Sequence, residues 1–277
     1  MNQPAATIAT SLEQPRARGQ VRLTLKPGPG GGAIDGLRMS GSLKLMFPRP
    51  GGGAFEAVLV NTAGGVTGGD RFATEAVAGP GTALSLTTQA AERAYRAAGP
   101  EPGRIATRLM AGPGARLGWL PQETILYDGA HLSRRLQIDM AADARVLMVE
   151  PVVFGRAAMG EELRDARFHD RVEIRRAGAL VWRDAVALAG DIAAQMDRAA
   201  LGRGARAMAS LVYAAPDADA HLDRLRALLP ETAGASLVRA GLLAARILAP
   251  DSYTLRQSLV PALRLLNQDE IPRPWML

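Results

Sequence analysis

The feature that most constrains the fold of this chain is an alternation of apolar and polar residues, interrupted at short intervals by Gly and Pro. Between residues 132 and 140 the apolar residues fall mostly on even numbers, and the segment 171–175 alternates in the same way. Successive side chains of a β-strand point to opposite faces, so this period predicts half-buried strands. Gly and Pro punctuate the chain at 79–81, 99–103 and 112–114, which indicates turns. The stretch 20–215 is therefore predicted to be a β-rich body.

Local signals refine this prediction at two places. Residues 176–179 (RAGA) separate two alternating segments and predict a hairpin. The stretch 87–98 (TTQAAERAYRAA) is ambiguous, because it contains helix formers but lies between two strand signals. We interpret it as a strand or a short bulged segment.

The period changes after Pro216. Asp217 is a predicted N-cap, followed by a helical stripe of leucines at 222, 225, 228 and 229. A second helix is predicted from about residue 235 to 248. A third would begin after Asp251 and be interrupted at Pro261. We expect a flexible N-terminal arm at 1–19 and a single domain at 20–277, in which the helical part 216–277 packs on the β-rich body.

Composition limits the compartment in which the protein works. The chain of 277 residues has no cysteine, which excludes disulfides and thiolate metal sites and fits a reducing cytoplasm. Its first eighteen residues lack the apolar core of a signal peptide. The most apolar later segment, 240–249, contains Arg246 and is too short to span a bilayer. A cytoplasmic protein without membrane contact is expected.

The charge is basic, but its pattern does not favour nucleic acid. The formal net charge is +6, and all but two of the 33 basic residues are arginine, because lysine occurs only at Lys26 and Lys44. The arginines are scattered, and aromatic residues make up only 4% of the chain, which leaves few platforms for stacking bases. We interpret the arginines as a solvated surface with partner-facing patches, in preference to a nucleic-acid-binding module.

The segment 61–70 (NTAGGVTGGD) places four glycines in six positions directly after an apolar strand. No Gly-Lys-Ser/Thr follows, so the segment is not a phosphate-binding loop, and it lacks the context of a dinucleotide fingerprint. Glycine permits a positive φ or the close approach of another group. We predict a tight turn or bulge in which Asn61 and Asp70 bond backbone groups. A functional role for Asp70 is the second interpretation.

The sequence lacks the common catalytic motifs of enzymes. The three histidines are far apart, and none forms an HExxH pair. No Gly-x-Ser-x-Gly elbow occurs. We therefore predict a protein that is not an enzyme, with no catalytic residue and no permanently bound cofactor.

Carboxylates lie in or beside apolar strand sequence, where a buried charge is costly unless it is paired or bound to a metal. They are Glu123, Asp128, Glu150, Glu161 and Glu162. The simplest interpretation is ion pairing with nearby arginines, namely Arg134, Arg135, Arg145, Arg156 and Arg164. Another is a β-rich hydrolase or transferase that uses two carboxylates of 119–162 as acid and base.

Five segments in one order resemble the urease accessory protein family UreD, also called UreH. They are NTAGGVTGGD at 61–70, TTQAAERAYR at 87–96, WLPQETILYDGA at 119–130, EPVVFGRAAMGE at 150–161 and PRPW at 272–275. The matches touch most of the chain from about residue 20 onward. The resemblance implies a mainly β fold in which the strands form a coil, with a few helices attached.

The resemblance also implies a function. A member of this family is a urease maturation chaperone that binds UreF, which recruits the GTPase UreG, and the assembly docks on apo-urease and delivers nickel. On this interpretation Asp128, Glu161 and Glu162, with Asp70 behind them, line a path for Ni²⁺ in transit. Carboxylate oxygens hold Ni²⁺ more weakly than a histidine or thiolate cage, which suits release.

UreF is expected to bind in part through the C-terminal region of this chain. Residues 273–275 are a candidate contact, because Trp and Arg are enriched at interface hot spots. The alternative is that this tail packs on the body of the same chain.

Overall fold

The computed structural model describes residues 15–49, 52–156 and 159–276. These residues form seventeen strands and three α-helices. The strands are β1 (Arg18–Lys26), β2 (Ala33–Gly41), β3 (Leu43–Met46), β4 (Phe55–Asn61), β5 (Arg71–Ala78), β6 (Ala83–Thr88), β7 (Glu92–Ala94), β8 (Gly103–Ala111), β9 (Arg116–Leu120), β10 (Thr124–Leu126), β11 (His131–Met140), β12 (Arg145–Phe154), β13 (Ala166–Arg176), β14 (Ala179–Gly190), β15 (Ala207–Ala214), β16 (Ala233–Arg239) and β17 (Leu242–Ala249). The helices are α1 (Ile192–Asp197), α2 (Leu222–Leu228) and α3 (Ser252–Leu266).

The strands build two sheets that the chain visits in turn. Sheet A has the order β14-β13-β11-β8-β5-β1-β2, and sheet B has β16-β17-β15-β12-β9-β6-β4-β3. From β4 to β13 the chain crosses from one sheet to the other and back. Consecutive turns therefore pair in parallel, as β5, β8 and β11 do in sheet A. The mainly β, coiled arrangement implied by the resemblance is confirmed.

A short third row of parallel pairs, here called the corner row, runs between the two sheets. It contains β7, β10 and the last residues of β12, and Val66 extends it by one bridge to Ala94. The two polar segments at 61–70 and 119–130 both pass along this row. The coil thus brings together motifs that are widely separated in sequence.

The space between the sheets is filled by the apolar side of the alternating pattern. Leu132, Leu136, Ile138 and Met140 of β11 are all buried there, as the alternation predicts. Helices α2 and α3 cover the outer side of sheet B and build a second apolar cluster, in which Leu259 is fully buried. None of the three helices is long and apolar enough to cross a membrane, within the described residues.

The helix predicted at 235–248 is wrong. These residues form strands β16 and β17, which pair antiparallel on either side of Gly241, and β17 pairs further with β15. Gly241 has φ +70°, a conformation that the turn requires and that glycine adopts without strain. The spacing of apolar residues in this short run fits both a strand (period two) and a helix (period 3.6). Pairing with neighbouring strands therefore determines its structure.

The other C-terminal predictions have mixed outcomes. Asp251 does cap α3, because its Oδ1 accepts the Thr254 N–H at 2.7 Å. Pro261 does not interrupt α3, which is continuous and held to sheet B by buried leucines on either side of the proline. Asp217 makes no capping bond. Its carboxylate instead accepts the Tyr213 hydroxyl at 2.9 Å and lies 2.6 Å from Arg145.

The two local predictions for the β body, at 176–179 and 87–98, agree with the structure. The hairpin at 176–179 connects β13 and β14 and is confirmed. The ambiguous stretch 87–98 contains the end of β6 and the short strand β7, so the strand interpretation is correct. Of the predicted arm at 1–19, residues 1–14 lie outside the described residues, and the last two residues already belong to β1.

Candidate functional site

The glycine-rich loop 61–70 is closed by its two terminal polar residues. Asn61 accepts the Ala63 N–H through Oδ1 at 3.0 Å and donates through Nδ2 to the Gly65 carbonyl at 2.9 Å. Asp70 accepts the Thr67 N–H through Oδ2 and the Ala17 N–H through Oδ1, both at 2.8 Å. The prediction that both residues bond backbone groups is confirmed. Asp70 is buried by these contacts.

Two adjacent glycines of this loop allow a matched test. Gly65 has φ +153°, and a Cβ there would lie 2.3 Å from Tyr95 Cε2 and 2.7 Å from the Arg93 carbonyl oxygen. Gly64 has φ +78° but nothing within 4 Å. We expect Gly64→Ala to cost about 1 kcal/mol of unfolding free energy from backbone strain. Gly65→Ala should cost about 1–3 kcal/mol more, because it also overpacks the corner row. Urea denaturation measures both, and equal losses would show that the close approach to Tyr95 is unimportant.

Asp128 lies at the end of the corner row, and the segment 161–165, which carries Glu161 and Glu162, folds back onto it. Asp128 accepts the N–H groups of Arg164 and Asp165 at 2.8 and 2.9 Å, and its other oxygen lies 2.7 Å from Arg96 Nη2. Burial raises the pKa of Asp128, but the two N–H groups and Arg96 together lower it by more than burial raises it. The pKa of Asp128 is therefore below its ordinary value. The carboxylate is therefore ionised at neutral pH.

The two glutamates of this group are paired with arginines on the surface. Both oxygens of Glu161 accept from Arg156 at 2.9 Å, and Glu162 lies 2.7 Å from Arg164. The hydrogen bond from Arg156 is the main reason that the pKa of Glu161 is lowered. The hydrogen bonds of Asp70 lie in its own loop and at Ala17, not in this group. Within the described ranges, no three His, Asp or Glu side chains come together as a metal site.

A second charged cluster is buried between the sheets around Arg134. Its guanidinium lies 2.6 Å from Asp170 and 2.5 Å from Glu150, and it donates to Thr124 Oγ1 at 3.0 Å. The contact with Glu150 is an ion pair without hydrogen-bond geometry. Glu150 also accepts the indole N–H of Trp119 at 2.7 Å. One cation thus serves two buried carboxylates.

The surplus carboxylate has a consequence for protonation. Burial raises the pKa of Glu150 to about 7; Arg134 opposes this rise, and the charge of Asp170 adds to it. Burial lowers the pKa of Arg134, but the charges of Asp170 and Glu150 raise it more, so this guanidinium stays charged. Near neutral pH the cluster therefore binds a proton for part of the time.

Arginine pairing of the predicted carboxylates is confirmed for Glu150 with Arg134, Glu161 with Arg156 and Glu162 with Arg164. It is wrong for two predicted arginines, because Arg135 lies beside Glu173 and Arg145 beside Asp217. Glu123 is bound by Arg256 of α3, whose Nε lies 2.6 Å from its Oε1. Arg256 also contacts Gln122. Contacts between the residues that precede β10 and a helix so distant in sequence could not be predicted from local patterns.

Glu92, which no sequence pattern singled out, lies between an inner cavity and an outer pocket. The inner cavity, of about 50 Å³, is also lined by Gln122, Arg134 and Glu150. The outer pocket, of about 210 Å³, is also lined by Asn61 and neighbouring residues of the glycine-rich loop. Burial raises the pKa of Glu92 above its ordinary value, against the hydrogen bond from Asn61. The one sequence signal that could have indicated Glu92 is its position in 87–96, one of the five segments that carry the family resemblance.

Comparison with known proteins identifies the same family as the five segments. A family model described as UreD urease accessory protein matches residues 17–276. The urease accessory protein UreD of Roseobacter denitrificans is 51% identical over 269 residues, which cover 97% of this chain and 98% of the relative. The corresponding protein of Ruegeria pomeroyi is 57% identical over 245 residues, covering 88% of this chain and 95% of the relative. Urease accessory protein UreD 3 of a Bradyrhizobium species is 42% identical over 275 residues, covering 99% and 98%. The chain belongs to the UreD urease accessory protein family.

Proposed function

We propose that this chain is a urease maturation chaperone that assembles with UreF and, through UreF, with the GTPase UreG on apo-urease, and that it helps to deliver nickel. Family membership supports the role in urease maturation. The observation that most supports nickel transit is the cavity inside the coil, whose mainly apolar lining includes the carboxylates Glu92 and Glu150 and which shares Glu92 with the outer pocket. Such a lining offers oxygen ligands without a closed cage.

The nickel path would include the surface carboxylates Asp128, Glu161 and Glu162, with Asp70 behind them. Their arginine partners are exposed: the side chains of Arg96, Arg156 and Arg164 are 66%, 41% and 76% accessible. Exposed ion pairs contribute little free energy, so a divalent cation can displace the guanidinium at small cost. Asp70 is the weakest member of the set, because both of its oxygens already bind N–H groups.

The carboxylates of 119–162 give less support to the alternative of a hydrolase or transferase. The buried pair, Glu123 and Glu150, is held by Arg256 and Arg134. An acid–base pair needs two carboxyl groups that face one substrate, whereas these two face different arginines. The relatives are named as accessory proteins, which favours the chaperone.

Of the tail residues predicted to contact UreF, Arg273 is exposed but Trp275 is not. Trp275 is buried in this chain, where its Nε1 donates to the Leu120 carbonyl at 2.9 Å and its ring lies 5.2 Å from Arg256. The tail thus packs on the body, and Trp275 is not available as a direct contact. We propose instead that UreF binds the outer side of α3, where Tyr253 is 72% exposed.

Copurification tests this assembly. The tagged chain should retain UreF, and it should retain UreG only when UreF is present. Tyr253→Asp should weaken UreF binding about tenfold or more, because it places a charge in an apolar contact. Leu201→Asp is the matched control, since Leu201 is also exposed but lies outside α3. Retention of UreG without UreF would contradict the proposed order of assembly, and equal effects of the two variants would remove α3 from the interface.

A further inference from the structure

The positive charge of the chain is concentrated on the outer side of sheet A. Along its strands the outward positions, which alternate with the buried ones, carry eleven arginines and three carboxylates. The ion pair of Lys26 and Asp35 adds no net charge. These outward side chains, here called the arginine face, therefore have an excess of eight positive charges. The whole chain has a net charge of +6, so the remainder is slightly negative.

The arginine face is open in the part of the chain that the structure describes. Helices α2 and α3 pack on sheet B, on the opposite side of the coil. Arg71, Arg104, Arg108 and Arg167 are all exposed on sheet A. Seven strands about 4.8 Å apart and about 9 residues long cover roughly 900 Å². One partner contributes about 800 Å² to a standard protein interface, so the face is large enough for one.

One carboxylate in the middle of the face organises its arginines. Glu173 is almost completely covered, with Arg171 at 3.0 Å, Arg183 at 3.2 Å, Arg135 at 3.7 Å and Arg175 at 4.0 Å. Burial raises the pKa of Glu173, but the four arginines lower it more, so the group stays ionised. Each guanidinium has five N–H donors, far more than one carboxylate accepts. The side chains of these four arginines are 40–51% exposed, so N–H donors remain accessible to a partner.

Resting on the proposed function, we propose that the arginine face docks an acidic protein surface within the urease maturation assembly. Guanidinium groups bind carboxylates through two parallel hydrogen bonds, which favours Asp and Glu side chains as partners. The charge asymmetry would also orient the chain during encounter. Because UreF is assigned to α3 on the opposite side of the coil, the chain can bridge two proteins at once.

Protein is a better fit than nucleic acid for two reasons. The outward positions of the described strands of sheet A hold no Phe, Tyr or Trp on which bases could stack. Glu75, Asp139 and Glu173 also lie among the arginines. They would repel a phosphate backbone, whereas a protein surface can offer basic side chains to them.

Charge reversal on one side of the molecule tests the proposal. The face variant is Arg71→Glu with Arg108→Glu and Arg167→Glu, three exposed residues outside the described ion pairs. The control variant is Arg198→Glu with Arg224→Glu and Arg239→Glu, which changes the net charge equally but lies on or beside α1, α2 and β16. Each purified chain is titrated against apo-urease that carries UreF and UreG, and against duplex DNA. Thermal unfolding verifies that both variants fold.

The expected result is that the face variant binds the protein assembly at least about tenfold more weakly than the unmodified chain, with the difference shrinking as salt rises. The control variant should bind nearly as well as the unmodified chain. Equal losses in both variants, no loss in either, or tighter binding of the unmodified chain to DNA than to the assembly would each overturn the proposal. A different result would contradict the proposed function itself, namely fully nickel-loaded urease in cells that lack the chain.

Discussion

Replacing Arg134 by methionine is expected to lower the free energy of unfolding by about 3–5 kcal/mol. Methionine fills a similar volume, so the loss comes from charge. Glu150 and Asp170 would remain buried between the sheets without their shared cation. Glu150 can take up a proton, because its pKa is already raised to about 7. Asp170 would remain a buried carboxylate without its cation. Urea denaturation of the purified chain measures the change.

Two variants separate this effect from a general loss of arginine. Arg135→Met alters the neighbouring residue, whose side chain is 51% exposed and lies 3.7 Å from Glu173. It should cost less than about 1 kcal/mol, as exposed ion pairs do. Adding Glu150→Gln and Asp170→Asn to Arg134→Met should recover much of the stability, because no charge then remains buried. If Arg134→Met costs no more than Arg135→Met, the buried cluster does not stabilise the fold as described.

The alternating strands of the β body were predictable because each is a local pattern. In β11 the alternation identifies the buried side directly. It also contains the signal for the buried cluster, since Arg134 is a polar residue at one of the even, inward positions. Asp170 is the residue paired with it in register on β13, and it also faces inward. A charged residue in the apolar register of a strand is thus a better indicator of a buried ion pair than proximity in sequence.

The coil could not be derived from alternation, because its turns have unequal lengths. Ala83, Arg116 and Arg145 lie side by side in sheet B, but their spacing in the sequence is not constant. No fixed repeat is therefore visible. The resemblance to a family supplied this part of the fold. The error at 235–248 has a related cause, since its strand structure depends on pairing with β15, and that pairing cannot be read from the segment itself.

The candidate site was predictable only where its contacts are short in sequence. The hydrogen bonds of Asn61 and Asp70 and the pairs of Glu161 and Glu162 involve neighbours in the chain, apart from the bond of Asp70 to Ala17 and the bond of Asn61 to Glu92. The contact of Glu123 with Arg256 and the position of Glu92 depend on how α3 and the corner row are placed. These are products of the tertiary structure.

The second large effect is expected in nickel delivery. Asp128→Asn together with Glu161→Gln and Glu162→Gln removes three negative charges while keeping the size of each side chain. The amide oxygen that replaces the carboxylate of Asp128 can still accept the N–H groups of Arg164 and Asp165, so folding and partner binding should be retained. Amide oxygens are weaker ligands than carboxylates for Ni²⁺. We expect urease matured with this variant to contain at least about twofold less nickel and to lose activity in proportion. The loss should be partial, because a series of weak oxygen sites tolerates the loss of a few.

A matched control changes the same charges elsewhere. Asp143→Asn with Glu101→Gln and Glu231→Gln also removes three exposed carboxylates, none of which belongs to the group around Asp128. This control should leave the nickel content of urease unchanged. If the group around Asp128 serves only to hold the fold, its variant should instead lower the melting temperature and reduce partner binding.

The proposed role in nickel delivery is tested by the nickel content per active site of urease purified from cells that contain the unmodified chain, no chain, the Asp128 group variant or its control. We expect nearly full nickel with the unmodified chain and the control, little without the chain, and an intermediate content with the variant. Full nickel in cells without the chain would contradict the role in maturation. A variant that folds, binds its partners and still delivers full nickel would show that these carboxylates are not on the path.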